Sequence, residues 1–280
     1  MTIGITGATG QLGHLVVQKL KERNTGATIV ALVRDPKKAA DLGVEARVFD
    51  YNQPETLAES LKGIDKLLLI SGSEIGKRVE QHANVIEAAK EAGVKLIAYT
   101  SLLHTDTSSL VLAGEHLETE KLLKTSGIPY VILRHGWYTE NYVGGLSDVV
   151  AHGTLYGSAG EGKISSASRA DFADADVAVL VTEGHEGKTY ELAGDETYTL
   201  ADFAKTLSEV AGKEVKYQNL PVDDYAKVLV SVGLPEGIAQ FLAGTHVGTE
   251  KGDLFDDSKE LSKLIGRPTT PLATVLKAAL

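Results

Sequence analysis

Thr6-Gly7-Ala8-Thr9-Gly10-Gln11-Leu12-Gly13 is the stretch that decides how this chain is read. The short apolar run before it, from Ile3, reads as a buried strand, and Leu12, Leu15, Val16 and Leu20 after it share one face of a helix. Strand, glycine turn and helix together form the arrangement that holds a pyrophosphate. Glycines allow a tight turn and a close approach of backbone to ligand. The helix N-terminus then presents unpaired N–H groups to the phosphates. Gly7, Ala8, Thr9, Gly10, Gln11, Leu12 and Gly13 are therefore candidate cofactor-binding residues. Their glycines are spaced G-x-x-G-x-x-G, not the G-x-G-x-x-G of many simple dehydrogenases.

Outward from this loop, strands and helices alternate. Apolar runs at Ile3–Ile5, Ile29–Val33, Ala46–Phe49, Leu67–Ile70, Leu96–Tyr99 and Tyr130–Leu133 read as strands. Helical patterns lie near 10–23, 36–42, 54–62, 76–92 and 112–126, with Gly26, Gly43, Gly63, Gly93 and Gly127 in the helix-to-strand connections. This rhythm predicts an α/β protein, a Rossmann-like doubly wound parallel sheet with helices on both faces. Ligands of such sheets bind beyond the carboxyl ends of the strands, so strand-end residues are the first to consider. After about residue 136 the rhythm changes. Helical stretches are expected near 170–182, 200–211, 222–231, 235–244, 257–265 and 271–279, with short strands at 188–193 and 214–218. The expected division is a nucleotide-binding lobe over 1–136 and a smaller, mainly helical substrate-cleft lobe over 137–280, the two interleaved. The glycine-rich part of 144–162 reads either as a substrate loop or as a surface connection.

Bulk properties narrow the function. The chain has 280 residues, 43% hydrophobic and 24% charged, enough for a large core. A formal net charge of -10 without a basic cluster argues against nucleic-acid binding. No cysteine is present, so disulfides and thiolate chemistry are excluded. No apolar run approaches the roughly 20 residues that span a bilayer. The N-terminus enters a strand at once, leaving no room for a signal peptide, and the cytoplasm is the expected compartment. The eight histidines form no H-x-x-x-H pair, so no metal site is expected. No G-x-S-x-G elbow supports a hydrolase.

The residue ending the second strand selects the nucleotide. An acidic side chain there would bond the ribose 2′-OH and repel a 2′-phosphate. This chain has Arg34, followed by Lys37 and Lys38, and a guanidinium holds a phosphate bidentately. NADPH is expected over NADH, the alternative being a solvated basic helix start. Asp50 and Tyr51, ending the third strand, are placed to meet adenine, with a turn role for Asp50 equally open. Ser71, Gly72, Ser73 and Glu74, ending the fourth, bring backbone near the cofactor's middle.

The chemistry has weaker signals. Short-chain dehydrogenases carry a Ser or Thr after the fifth strand and a Tyr-x-x-x-Lys pair on the next helix. Here Thr100-Ser101 takes the first position, but the helix reads Glu115-His116-Leu117-Glu118-Thr119-Glu120-Lys121. His116 and Glu120, four apart, either interact on one face or form a surface pair. The missing dyad argues against alcohol oxidation, though not against hydride transfer to a strong electrophile such as a quinone or a cationic dye. Trp137, Tyr138, Asn141 and Tyr142 follow the sixth strand, where flat rings suit stacking and an amide suits a carboxamide or quinone oxygen. Asn141, Tyr138 and Ser101 are the candidate catalytic residues, and Trp137 joins the cofactor set.

Thr6–Gly13, Asp50-Tyr51, Ile70–Arg78, Ile97–His104 and Leu133–Tyr142 resemble the NmrA-like atypical short-chain dehydrogenases. Within these the chain is most similar to the flavin-free bacterial NADPH-dependent quinone oxidoreductases, with triphenylmethane reductases near. His135 stands where the quinone reductases are expected to carry Asn. The resemblance implies a nicotinamide-binding lobe, a small C-terminal lobe and a quinone cleft between them. It also implies that the glycine loop, Arg34, Ser73-Glu74 and Trp137–Tyr142 contact NADPH. The expected partner is a small quinone or similar flat electrophile, with a homodimer as the expected assembly. The alternatives are a reductase of triarylmethane or azo dyes and a non-enzymatic NADP-sensing regulator.

Overall fold

β1 (Thr2–Thr6), α1 (Gln11–Glu22), β2 (Thr28–Val33), β3 (Glu45–Val48), α2 (Pro54–Ser60), β4 (Lys66–Leu69), α3 (Arg78–Ala92), β5 (Leu96–Leu102), α4 (Ala113–Thr125) and β6 (Tyr130–His135) open the chain. They are followed by α5 (Leu146–His152), β7 (Thr154–Gly157), α6 (Arg169–Val181), β8 (Thr189–Leu192), α7 (Leu200–Ala211), β9 (Lys216–Asn219), α8 (Val222–Ser231), α9 (Glu236–Glu250), α10 (Glu260–Ile265) and α11 (Leu272–Ala279). The computed structural model describes residues 1–280. The stretch 36–42 forms a 3-10 helix capped by Asp35, whose carboxylate accepts the Lys37 N–H at 3.0 Å.

Seven strands form one sheet in the order β3-β2-β1-β4-β5-β6-β8. The ladders joining β1 through β6 are parallel. Strands buried on both faces read as continuous apolar runs, and every residue of β5 is buried. From β1 the chain goes to β2 on one side, and β4 then pairs with β1 on the other. The β1/β4 junction is therefore the topological switch point, where the loops after the two strands diverge and leave a crevice.

The chain divides into two compact units. One holds 1–106, 112–135 and 169–191, and the other holds 107–111, 136–168 and 192–280. The helix expected near 170–182 and the strand expected at 188–193 read as parts of the later lobe. Instead, α6 packs on α1 and β8 extends the sheet beside β6. Asp174 of α6 pairs with Lys19 at 3.0 Å and with Arg23 at 3.7 Å, both from α1 or its C-cap. Periodicity announces these elements but cannot name their partners.

The second unit holds α5, α7–α11 and a two-stranded parallel sheet of β7 and β9. The stretch 144–162 is more regular than expected, because α5 and β7 lie within it. Gly145 and Gly153, both left-handed, cap α5 at its two ends and hide the seven-residue helix from a periodicity reading. No helix is long and apolar enough to cross a membrane.

Candidate nucleotide site

At the end of β1 the chain turns left-handed at Gly7 (φ 58°), whose N–H is held by the Leu32 carbonyl of β2 at 3.1 Å. Gly10 N–H closes the turn on the Gly7 carbonyl at 2.8 Å, and His14 donates the first bond of α1 back to Gly10. The N–H groups of Gln11, Leu12 and Gly13 precede that bond and point out of the helix end, where no side chain caps them. The glycines have different tasks. A Cβ on Gly13 would lie 2.4 Å from the Gly7 oxygen and 2.8 Å from Ala8 Cα, so only glycine lets α1 cross the turn this closely. A Cβ on Gly10 would meet only the Gly7 oxygen at 3.1 Å. A side chain is thus tight against one backbone oxygen at Gly10 and shut out at Gly13, and the bare amides beside them suit a pyrophosphate.

Arg34 follows β2, exposed, and makes no ion pair. Asp35 beside it is turned to its own helix cap, which leaves the guanidinium uncompensated. Lys38 is also exposed. A 2′-phosphate is the chemistry that such an uncommitted cation accepts.

Asp50 and Tyr51 serve the architecture visibly. Asp50 Oδ1 accepts the Asn52 N–H at 3.0 Å, the turn that leads into α2. The Tyr51 hydroxyl lies 2.5 Å from Thr6 Oγ1 and donates to the Ile70 carbonyl at 2.9 Å. It thereby bridges the ends of β1 and the β4 segment at the switch point. Burial pushes its pKa far up, so it stays a neutral donor. Tyr51 also starts a row of ring contacts beneath the crevice, Tyr51–His82–Tyr99–His116, with centroids 6.1, 5.3 and 5.9 Å apart.

Ser101 is buried, and its hydroxyl donates to Glu120 Oε1 at 2.7 Å. Glu120 in turn receives Arg134 in a fork, Nε on Oε1 at 2.9 Å and a terminal nitrogen on Oε2 at 2.8 Å. Arg134 also donates to Glu191 at 2.7 Å, and Glu191 Oε2 accepts the His104 N–H at 2.9 Å. Burial works to raise the Glu120 pKa, but the bonds from Arg134 and Ser101 outweigh it and hold the carboxyl below its usual range. His116 and Glu120 are neither a surface pair nor partners. Both are buried, and His116 Nδ1 bonds the Tyr99 hydroxyl at 2.7 Å. The i,i+4 spacing put them on one face, which proved to be the inward face. His135, ending β6, is also buried, bonded to Asp176 at 2.9 Å and stacked on Phe172 at 4.7 Å.

The first unit thus gathers the glycine loop, Arg34, Lys38, Asp50, Tyr51, Ser71–Glu74 and Ser101 at the carboxyl end of one sheet. Trp137, Tyr138 and Asn141 belong to the second unit. There Trp137 O and Thr139 N bond Ala167, and Thr139–Tyr142 form a 3-10 turn that leaves Asn141 exposed. Tyr142 packs on Phe203 at 5.6 Å. Sequence reasoning missed Arg78, His82 and the Glu120–Arg134 fork. Arg78 and His82 sit four apart, hence on one helical face, and that spacing was the available signal.

A glycine-cradled helix end at the switch point of a parallel sheet defines a nucleotide-binding protein, and a family model described as NAD(P)H-binding matches residues 7–183. The chain belongs to that family. Among its relatives is quinone oxidoreductase 2 of Escherichia coli, 57% identical over 274 residues, 97% of this chain and 96% of the relative. The crystal structure of an Escherichia coli NADPH-dependent quinone oxidoreductase complexed with NADPH superposes with a TM-score of 0.95 at 56% identity, covering 99% of each chain. Triphenylmethane reductase from Citrobacter sp. superposes at 0.96 with 42% identity, over 100% of this chain and 99% of that one.

Proposed function

We propose that this chain is an NADPH-dependent quinone oxidoreductase that works without flavin or metal. The observation that carries the reading is the exposed, unpaired Arg34 at the end of the strand beside the glycine cradle. Phosphate-binding amides and a 2′-phosphate cation together specify NADPH. The strong likeness to an enzyme crystallised with NADPH supports the same cofactor.

When bound, the nicotinamide supplies a hydride. A quinone that accepts hydride and a proton becomes a hydroquinone, and its ring regains aromaticity. The helix end and Arg34 bind the phosphates, while Thr6, Tyr51 and Thr100 hold the strand ends. We assign Trp137, Tyr138 and Asn141 to the nicotinamide and the acceptor on their chemistry, flat rings for stacking and an amide for hydrogen bonding. Ser101 spends its proton on Glu120, so the reading asks no tuned acid of the chain and takes the proton from water. Rate then comes chiefly from holding donor and acceptor together. The same reading carries a cytoplasmic setting and a homodimer, which cell fractionation and sedimentation would test.

The deciding measurement is NADPH oxidation with a quinone, a triarylmethane dye and an azo dye under the same conditions. The highest kcat/KM is expected for the quinone. Faster dye turnover would make the chain a dye reductase, the reading that the Citrobacter likeness favours. NADPH binding without turnover of any acceptor would make it a sensor.

A further inference from the structure

Three consecutive amides hold the chain as it leaves β4, and each donates to a side chain from a different element. Ile70 N–H goes to Thr6 Oγ1 at 2.9 Å, Ser71 N–H to Thr100 Oγ1 at 3.0 Å, and Gly72 N–H to His82 Nε2 at 2.9 Å. Arg78 closes the other side, its Nε donating to the Gly72 carbonyl at 2.9 Å. Both polar groups of Gly72 are thus taken from α3, and neither flanking peptide plane is free to turn. A Cβ here would come within 2.7 Å of Gln81 Oε1, on a side chain itself bonded to Asn52 at 3.1 Å. Four residues on, Gly76 N–H donates to Glu115 Oε1 at 2.7 Å, and the other oxygen of Glu115 holds Arg78 at 2.6 Å. Ser73, Glu74 and Ile75 lie between these two grips, with Ser73 and Ile75 exposed.

We propose that His82 is a positioning residue for the dinucleotide. Through Gly72 it fixes the course of Ser73 and Glu74 along the crevice at the switch point, and so sets NADPH affinity. The proposal rests on the nucleotide reading above. Its chemistry is internally fixed. An amide N–H only donates, so Nε2 carries the lone pair and the ring proton sits on Nδ1, which donates to Thr119 Oγ1 at 3.0 Å. The Thr119 hydroxyl in turn donates a hydrogen bond to the Glu115 carbonyl at 3.0 Å. Burial, with the charge of Arg78 adding to it, lowers the imidazole pKa to about 3, so the acceptor persists at every working pH. A loop held from behind by a locked, neutral acceptor meets its ligand without paying to be ordered.

The test is NADPH titration followed by the fluorescence of the bound nucleotide, beside thermal melting and steady-state kinetics. His82→Phe keeps the ring and removes the acceptor, His82→Gln keeps an acceptor, and Thr119→Val removes what fixes the tautomer. His82→Phe is expected to weaken NADPH binding about tenfold or more. Quinone KM, and kcat at saturating NADPH, should stay within about threefold, the signature of lost ground-state binding. His82→Gln should recover most of the affinity and Thr119→Val should fall between. Parent-like NADPH affinity in a folded His82→Phe, with only the melting temperature lowered, would overturn the proposal, as would equal losses in the Phe and Gln variants. If His82→Phe does not fold, unchanged affinity in Thr119→Val overturns it. A parent protein that fails to bind NADPH would remove the nucleotide reading itself.

Discussion

The proposed reading concentrates nucleotide choice in Arg34, because its neighbour Asp35 is engaged elsewhere and no other carboxylate pairs with it. Arg34→Asp should weaken NADPH binding roughly 10- to 100-fold, the loss of charge-assisted bonds plus a new repulsion. NADH binding should hold or improve. Titrating both nucleotides checks this, and equal affinities in the parent would refute the assignment. Ser101 shows how a residue type at the right position acquires another task. Its place at the end of the fifth strand was readable, but its partner Glu120 comes from α4 and became visible only on folding. Ser101→Ala should therefore cost about 1–2 kcal/mol of stability, since a buried carboxylate loses a donor. It should reduce kcat far less than the roughly 10²–10⁴-fold of a lost general acid. Asn141→Ala and Tyr138→Phe should likewise retain turnover at saturating NADPH, with losses mainly in quinone KM. Any of the three that abolishes kcat with NADPH binding intact would show that a proton donor had been overlooked.

At the scale of elements, β1, its glycine turn and α1 form a unit in which each glycine answers to a different constraint. Gly10 is extended (φ −78°), and a Cβ there meets one backbone atom, the Gly7 oxygen at 3.1 Å, which needs a shift of only a few tenths of an ångström. Gly10→Val should fold and yet bind no nucleotide, because its methyls stand where the phosphates must approach. Gly13→Val should damage the fold itself, since its Cβ alone collides with the backbone of Gly7 and Ala8. Circular dichroism and nucleotide titration separate the two outcomes, and undiminished binding in a folded Gly10→Val would remove the phosphate assignment. The strands β1, β2, β4, β5 and β6 were predictable because parallel strands covered on both faces give unbroken apolar runs. β7 and α5 were not, because four- and seven-residue elements between glycines are too short to show a period.

Across the whole molecule, three buried histidines tie stability to pH. Burial holds His82 and His116 at about 3 and His246 at about 4, against 6.5 for a free imidazole. Below about pH 6.5 the unfolded chain takes up these protons and the native one does not, so stability is lost as pH falls. Each group removes about 1.4 kcal/mol per pH unit until its native pKa is reached. Urea unfolding at pH 6.5, 5.5 and 4.5 should show a steep decline, with His116→Gln flattening it by one proton's worth. Stability unchanged over that range would mean that these rings take up protons in the native state as readily as in the unfolded one.

The sequence alone determined the alternation that builds a parallel sheet, the glycine turn after the first strand and the basic residue that follows the second. All three are local facts: a period, a set of glycines with no Cβ, and the charge of one strand-end residue. Tertiary structure decided which distant groups share a proton or a charge. It brought Glu120 under Ser101 and Arg134, returned α6 and β8 to the first unit, and set His82 behind Gly72. The physical reason is that burial creates these partnerships. A polar group taken out of water must find another polar group, and nothing in its own stretch of chain says which one the fold will bring.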